Sequence, residues 1–302
     1  MKIVVAGLGR MGSQIARKLL ADGHQVLVHN RTTSVMDPFI EMGATPLYSK
    51  EEVVVHISDG ERIAVWVMVP SDVVDTELDA WASVLPADSI LIDGGNSDYR
   101  NDEARGARAK DYSVSLLDIG TSGGVWGEER GFCMMVGGAK DSFEYIEPVL
   151  KTLAAPSGAY DYFGGNGAGH YVKMVHNAIE YGMMQSIAEG YRMLKEGPIE
   201  GIPLAKAGEV WQHGSVVTSW LNELAAEAVA ESPDLDGISG VVAESGETRW
   251  TLETAKDLDI ELPAIQASFD VRLASQQGQV DYSTKLLAAM RNKFGGHDIN
   301  GK

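Results

Sequence analysis

An apolar pentapeptide running straight into a spaced set of glycines constrains this chain more than any other feature. Lys2–Ala6 (KIVVA) reads as a buried parallel strand. Gly7, Leu8, Gly9, Arg10, Met11 and Gly12 follow at once, and then the helical run SQIARKLLADG. A G-x-G-x-x-G spacing between strand and helix carries a mechanism. Gly7 allows the tight turn, Gly9 lets backbone N–H groups approach a pyrophosphate, and Gly12 lets helix and strand pack closely. The anion then rests on a helix N-terminus. The next strand, Gln25–His29, arrives at the distance such a unit needs. Further apolar runs follow: IAVWVMVP (63–70), SILIDGG (89–95), SLLDIG (115–120), CMMVGG (133–138) and YDYF (160–163). Glycine or proline punctuates them, and most are separated by helix-length segments. This alternation predicts a largely parallel sheet wrapped on both faces, with ligands beyond the C-terminal strand ends.

After Tyr171 the pattern becomes helical, with helices expected over 171–195, about 203–230, 247–258, 264–276 and about 281–293. Gly-Pro at 197–198 and Ser-Pro at 232–233 mark turns. The expected fold class is α/β: an N-terminal Rossmann-type doubly wound sheet over 1–168, then an all-α domain with a C-terminal tail over 169–302.

Composition narrows the function classes. The 302 residues carry a formal charge of −18, which argues against nucleic acid and anionic membrane as partners. The single cysteine, Cys133, excludes an internal disulfide and a cysteine metal cluster, and it reads as a small buried residue. No apolar run approaches the length of a membrane span, and the apolar start of MKIVVAGLG is too short for a signal peptide. The expected location is cytoplasmic.

Four polar residues share one helical stripe: Lys173, His176, Asn177 and Glu180, at i, i+3, i+4 and i+7. At 3.6 residues per turn they fall within an arc of roughly 100°. An apolar stripe of Val172, Val175, Ile179, Met183 and Ile187 is expected to face the core. Such a wall supplies a base, an acid and substrate-holding groups; the alternative is a solvated face with a helical ion pair. The end of the second strand reads Asn30-Arg31-Thr32, where an NAD site usually places Asp or Glu. An arginine there can pair with a 2′-phosphate; the alternative is a surface turn with a stray arginine. Two other strand ends are polar: Asn96 in DGGNS, and Ser122, Gly123 and Gly124 in DIGTSGG. The latter offers a hydroxyl and free N–H groups that suit a carboxylate, or is simply a tight turn.

Taken in chain order, GLGRMG, NRT, DGGN, TSGG and K-x-x-H-N-x-x-E-Y (173–181) closely resemble the 6-phosphogluconate dehydrogenase family, within the wider β-hydroxyacid dehydrogenases. The resemblance continues through RWTLETA (249–255), Arg272 and the tail RNKFGGH (291–297). The chain is similar to a short form with one helical unit rather than the duplicated long form. The resemblance implies oxidative decarboxylation of 6-phosphogluconate to ribulose 5-phosphate and CO₂, without a metal, in the pentose phosphate pathway. The implied cofactor is NADP, with NAD as runner-up. Lys173 and Glu180 are the implied catalytic pair. Asn96, Ser122, Gly123, Gly124, His176, Asn177 and Tyr181 would hold the sugar acid, and Arg272, Arg291 and His297 its phosphate. The cofactor would lie on residues 7–12, Asn30, Arg31, Thr32, Val69 and Asn96. A lysine that touches the phosphate in the long form is Ser245 here, so that contact is missing or replaced, Arg249 being the nearest substitute. The tail is expected to reach a partner subunit in a homodimer or homotetramer. Two rivals remain: a dehydrogenase of a small unphosphorylated hydroxyacid, and a catalytically silent NADP sensor.

Arg31→Ala tests the cofactor reading. A charge-assisted arginine–phosphate contact is worth about 1.5–3 kcal/mol, so the substitution should weaken NADP roughly ten- to a hundredfold while leaving NAD nearly unchanged. Initial rates with both cofactors check this; an unchanged ratio would place the 2′-phosphate elsewhere.

Overall fold

Ile3, Val4 and Val5 have no exposed surface, so strand β1 (Lys2–Ala6) lies inside a sheet covered on both faces. The structure, a computed structural model, describes residues 1–58 and 60–299. Seven further strands complete the sheet: β2 (Gln25–His29), β3 (Thr45–Pro46), β4 (Ala64–Val67), β5 (Ile90–Asp93), β6 (Ser115–Ser122), β7 (Cys133–Gly138) and β8 (Ala159–Gly164). Their order is β3-β2-β1-β4-β5-β6-β7-β8; all neighbours are parallel except β6 and β7. Alternation along β1 splits the core. Ile3 and Val5 pack with Ile15 and Leu19 of α1 (Arg10–Ala21), whereas Val4 and Ala6 face the other layer. After α2 (Asp37–Glu41), that second layer is built by Leu78 and Trp81 of α3 (Val74–Ala82) and Ala109 of α4 (Asp102–Asp111). The short α5 (Gly127–Arg130) precedes β7, and α6 (Lys140–Ala154) returns to the first layer through Ile146 and Leu150. This is the expected Rossmann-type α/β fold followed by helices. The two-residue β3 was not legible in the sequence.

The chain divides into two compact units, 1–173 and 174–302. Helix α7 (Ala168–Glu196) contributes its first six residues to the former. The second unit then contains α8 (Leu204–Trp211), α9 (Trp220–Glu231), α10 (Glu247–Asp257), α11 (Pro263–Gln276) and α12 (Tyr282–Gly295). The single helix expected over about 203–230 is thus two. The chain breaks at 212–219, where Ser219 accepts from Asn222 N–H as N-cap of α9 and Gly214 takes φ +79°. A serine cap interrupting an apolar periodicity is a stronger stop signal than the periodicity is a continuation signal. Among the described residues no helix is long and apolar enough to cross a membrane.

The expected core stripe of α7 is also corrected. Within the second unit the buried residues are Met174, Ala178, Tyr181, Met184, Ala188 and Tyr191, while Ile179 and Met183 are 52% and 43% exposed and Ile187 is half-buried. In the first unit Val172 is half-buried, as is Val175 in the second. The helix carries two apolar faces, and hydrophobic period alone does not say which one its own chain covers.

A buried charge network seats the start of α7 on the sheet. The Asp118 carboxylate, in the middle of β6, accepts backbone N–H groups of Gly167 (2.8 Å), Gly169 (2.8 Å) and His170 (3.1 Å). His170 Nδ1 lies 2.7 Å from Asp102, and Arg105 donates to Asp102 (3.0 Å) and Asp93 (3.4 Å) while also pairing with Asp75. Burial, with the charge of Asp102 adding to it, pushes the Asp118 carboxyl up to about 6, although the His170 charge and the N–H groups of Gly167 and His170 oppose it. Burial disfavours charge on His170 as well, but Asp102 and the neighbouring Asp93 and Asp118 outweigh it and raise the imidazole to about 9. Asp93, Asp102 and His170 converge at metal-ligand distances, but the Arg105 guanidinium already supplies the cation there.

Removing that guanidinium leaves Asp93, Asp102 and Asp118 buried with His170 alone to oppose them. Arg105→Met should cost about 3–5 kcal/mol and lower the thermal midpoint by roughly ten degrees, as calorimetry would show. A midpoint within about two degrees of the parent would mean that the network does not hold the fold.

Candidate active site

The glycine loop is shaped for a dinucleotide pyrophosphate. Gly7 takes φ +96°, and a side chain there would strike the Met68 carbonyl; one at Gly12 would strike Gly7 itself. Gly9 is the N-cap of α1, and a Cβ there would meet no atom within 4 Å. The first turn of α1 has no acidic residue, and no side chain caps its end, so its N–H groups suit an anion. Asn30 accepts from Leu8 N–H at 3.0 Å and thereby ties the end of β2 to the loop. Val69 touches the Cβ position of Gly7. Arg10, Arg31, Thr32 and Asn96 are exposed, and Met11 is half-buried. Of the cofactor candidates, Asn30 thus meets the glycine loop at Leu8 and Val69 meets it at Gly7.

Asn96 follows Asp93 at the end of β5. Asp93 accepts from Gly95 N–H (3.1 Å) and Ser97 hydroxyl (2.7 Å), which fixes the loop between them. Ser122 ends β6, and Gly123 and Gly124 turn with φ +136° and +54°. Lys173 is half-buried and lies against β6: a Cβ at Gly120 would collide with the Lys173 side chain. Ser122 pairs with Cys133 across β6 and β7. Cys133 is exposed, not buried as expected, because it is the first residue of its strand; its thiol faces the charge of Lys173.

In the second unit, His176, Asn177, Glu180 and Tyr181 occupy consecutive turns of α7. Asn177 and Tyr181 are buried, His176 and Glu180 half-buried. The stripe is therefore not a solvated face. Tyr181 is stacked beneath Arg272, whose guanidinium carbon lies 3.2 Å from the ring centre. Its hydroxyl accepts from Ser245 N–H at 3.3 Å. Arg272 is 2% exposed and Arg291, on α12, 7% exposed. Burial, with the charge of Arg291 adding to it, pulls Arg272 down to about 10; burial lowers Arg291 as well. Among the described residues neither is ion-paired to a carboxylate, although Glu180 acts electrostatically on both. His297 lies edge-on to Phe294, and its carbonyl accepts from Asn292. Arg249, the candidate substitute for the missing lysine, pairs with Glu244 at 2.8 Å.

Three participants escaped sequence reasoning. Asp118 and His170 fix the start of α7, and Glu247 accepts from Asn177 Nδ2 at 2.5 Å. A carboxylate inside an apolar strand, as in SLLDIG, was the one available signal for Asp118.

Known proteins show the same composition of parts. Residues 2–165 match the model for the NAD binding domain of 6-phosphogluconate dehydrogenase, and 169–294 match that for its C-terminal domain. The chain belongs to the 6-phosphogluconate dehydrogenase family. It is 36% identical, over its full length and 99% of the relative's, to an NAD⁺-dependent decarboxylating 6-phosphogluconate dehydrogenase of Haloferax volcanii. It is 33% identical over 91% of its length to an NADP⁺-dependent one of Bacillus subtilis, of which it spans 61%. Among solved structures, the Plasmodium falciparum 6-phosphogluconate dehydrogenase, described with NADP⁺ and with 6-phosphogluconate, superposes with a TM-score of 0.81 at 26% identity, covering 96% of this chain and 70% of that one.

The contact at Gly120 yields a direct expectation. Gly120→Ala should displace Lys173 by about an ångström and lower kcat roughly a hundredfold, at an overpacking cost of about 1–3 kcal/mol, with cofactor affinity close to the parent's. Unchanged turnover would show that Lys173 does not work from this position.

Proposed function

We propose that the chain oxidises and decarboxylates 6-phosphogluconate to ribulose 5-phosphate and CO₂, with NADP as the preferred oxidant. The observation that carries this reading is the pair of buried arginines, Arg272 and Arg291, with no carboxylate paired to them among the described residues. Buried guanidinium groups are costly without a counter-charge. A phosphate dianion satisfies two at once and matches their planar donors. A small unphosphorylated hydroxyacid leaves them uncompensated.

Lys173 and Glu180 lie seven residues apart on one helix, about 10 Å along its axis. That separation suits a sugar acid extended along the helix. The bound nicotinamide supplies the hydride acceptor for C3. Lys173, as the neutral amine, takes the proton of the 3-hydroxyl. As the ammonium it then donates to the C3 oxygen, so that the electrons released with CO₂ flow onto that oxygen. Glu180 protonates the carbon that has lost CO₂. His176 and Asn177 hold sugar hydroxyls.

The NADP preference rests on Arg31 and Thr32, exposed at the end of β2 where an NAD site places an acid. Homodimerisation is part of the same proposal. The uncovered face of α7 carries Ile179 and Met183 beside Gly182 and Gly190, whose Cβ positions are open, as a helix packing against a second copy requires.

Initial rates with 6-phosphogluconate, gluconate and 3-hydroxyisobutyrate, each with NADP and NAD, test the reading. Reduction of NADP with 6-phosphogluconate and equimolar CO₂ is expected. Lys173→Met should lower kcat at least about a thousandfold, since base and carbonyl-polarising roles each contribute about 10²–10⁴. Activity confined to an unphosphorylated acid would overturn the assignment.

A further inference from the structure

Glu247 belongs to none of the roles assigned above, yet it is 4% exposed and sits at the first position of α10. The backbone is built to put it there. Gly246 precedes it with φ +100°, in contact with the Trp250 ring, and its N–H donates to Glu244. The Thr251 hydroxyl donates to the Met174 carbonyl at 3.2 Å, which ties α10 to α7 one turn before Asn177. One carboxylate oxygen of Glu247 accepts from Asn177 Nδ2. The other, Oε2, is buried and has no hydrogen-bond partner among the described residues. Asn177 in turn places its Oδ1 2.9 Å from His176 Nδ1.

The donor–acceptor rules along this chain allow one arrangement. A carboxylate only accepts, so Asn177 must turn its NH₂ toward Glu247. Its amide oxygen then faces His176, and that oxygen also only accepts, so His176 Nδ1 must carry the hydrogen. In the neutral ring the lone pair is left on Nε2. Without Glu247 the amide could rotate by half a turn, present its NH₂ to His176, and stabilise the opposite tautomer.

We infer that Glu247 is a positioning residue: through Asn177 it selects the Nδ1–H tautomer of His176, so that Nε2 serves as a hydrogen-bond acceptor for a substrate hydroxyl. The hydroxyl rests on the sugar-acid reading above; the tautomer does not.

The test uses the full-length protein with ¹⁵N-labelled histidine, free of substrate, at a pH where the ring is neutral. Long-range ¹H–¹⁵N spectra distinguish the protonated from the lone-pair nitrogen, and the signal lost in His176→Gln assigns the residue. The parent should show Nδ1–H in at least tenfold excess. Glu247→Gln, close in shape, removes the accept-only constraint and should bring the ratio toward parity. The double variant Asn177→Asp, Glu247→Gln reverses donor and acceptor between the two positions, keeps an accept-only oxygen on His176, and should restore the Nδ1–H excess. A parent in the Nε2–H form, an unchanged ratio in Glu247→Gln, or no restoration in the double variant each overturns the inference. Glu247→Gln should also lower kcat/KM for 6-phosphogluconate about tenfold; an unchanged value would show that the tautomer does not serve this substrate. A parent inactive on 6-phosphogluconate would refute the substrate reading alone, because the spectra are recorded without it.

Discussion

The start of α7 rests on a single buried carboxylate. Asp118 receives three backbone N–H groups from residues 167–170, replacing the solvent that a helix N-terminus otherwise needs. Sheet and helix meet here at backbone distance. Side chains at Gly120, Gly137 or Gly169 would collide with Lys173, Asp118 or neighbouring carbonyls. Lys173 stands one turn beyond this anchor, so the network fixes where its backbone meets β6. The same network passes through His170, Asp102 and Arg105 to Asp93, and from Asp93 to the loop that bears Asn96.

The two units treat buried charge in opposite ways. In the first, Asp93, Asp102 and Asp118 are opposed by Arg105 and His170, so the network is close to self-neutralising. Such an arrangement fixes geometry without inviting a ligand. In the second, Arg272 and Arg291 lie beside each other and repel, with only the Tyr181 ring and the more distant Glu180 and Glu247 to offset them. A bound anion would relieve that imbalance, and this is the ground for the proposed placement of the phosphate.

Exposure tells a related story on α7. Its polar stripe separates two apolar faces, of which the second unit covers only the one led by Met174, Ala178 and Tyr181. The uncovered face, with Ile179 and Met183, has the chemistry of a contact surface rather than of a solvated helix.

Much was legible before any coordinates. The strand–glycine–helix opening, the alternation of apolar runs with helix-length segments, and the Lys173-His176-Asn177-Glu180 stripe depend on local periodicity and backbone sterics, which a sequence records directly. The gap at 212–219, the two-residue β3, the exposure of Cys133 and the choice between the two apolar faces of α7 depend on what lies across from each residue. The ion pair of Arg249 with Glu244, five residues away, is likewise settled by the fold of the loop between them. Glu247 shows the same at longer range, since nothing in its neighbourhood of sequence points to Asn177, seventy residues earlier. Local sequence determined which elements form and which residues bear chemistry. Only tertiary structure decided which of those residues meet, because burial and hydrogen-bond pairing are properties of contacts between distant segments.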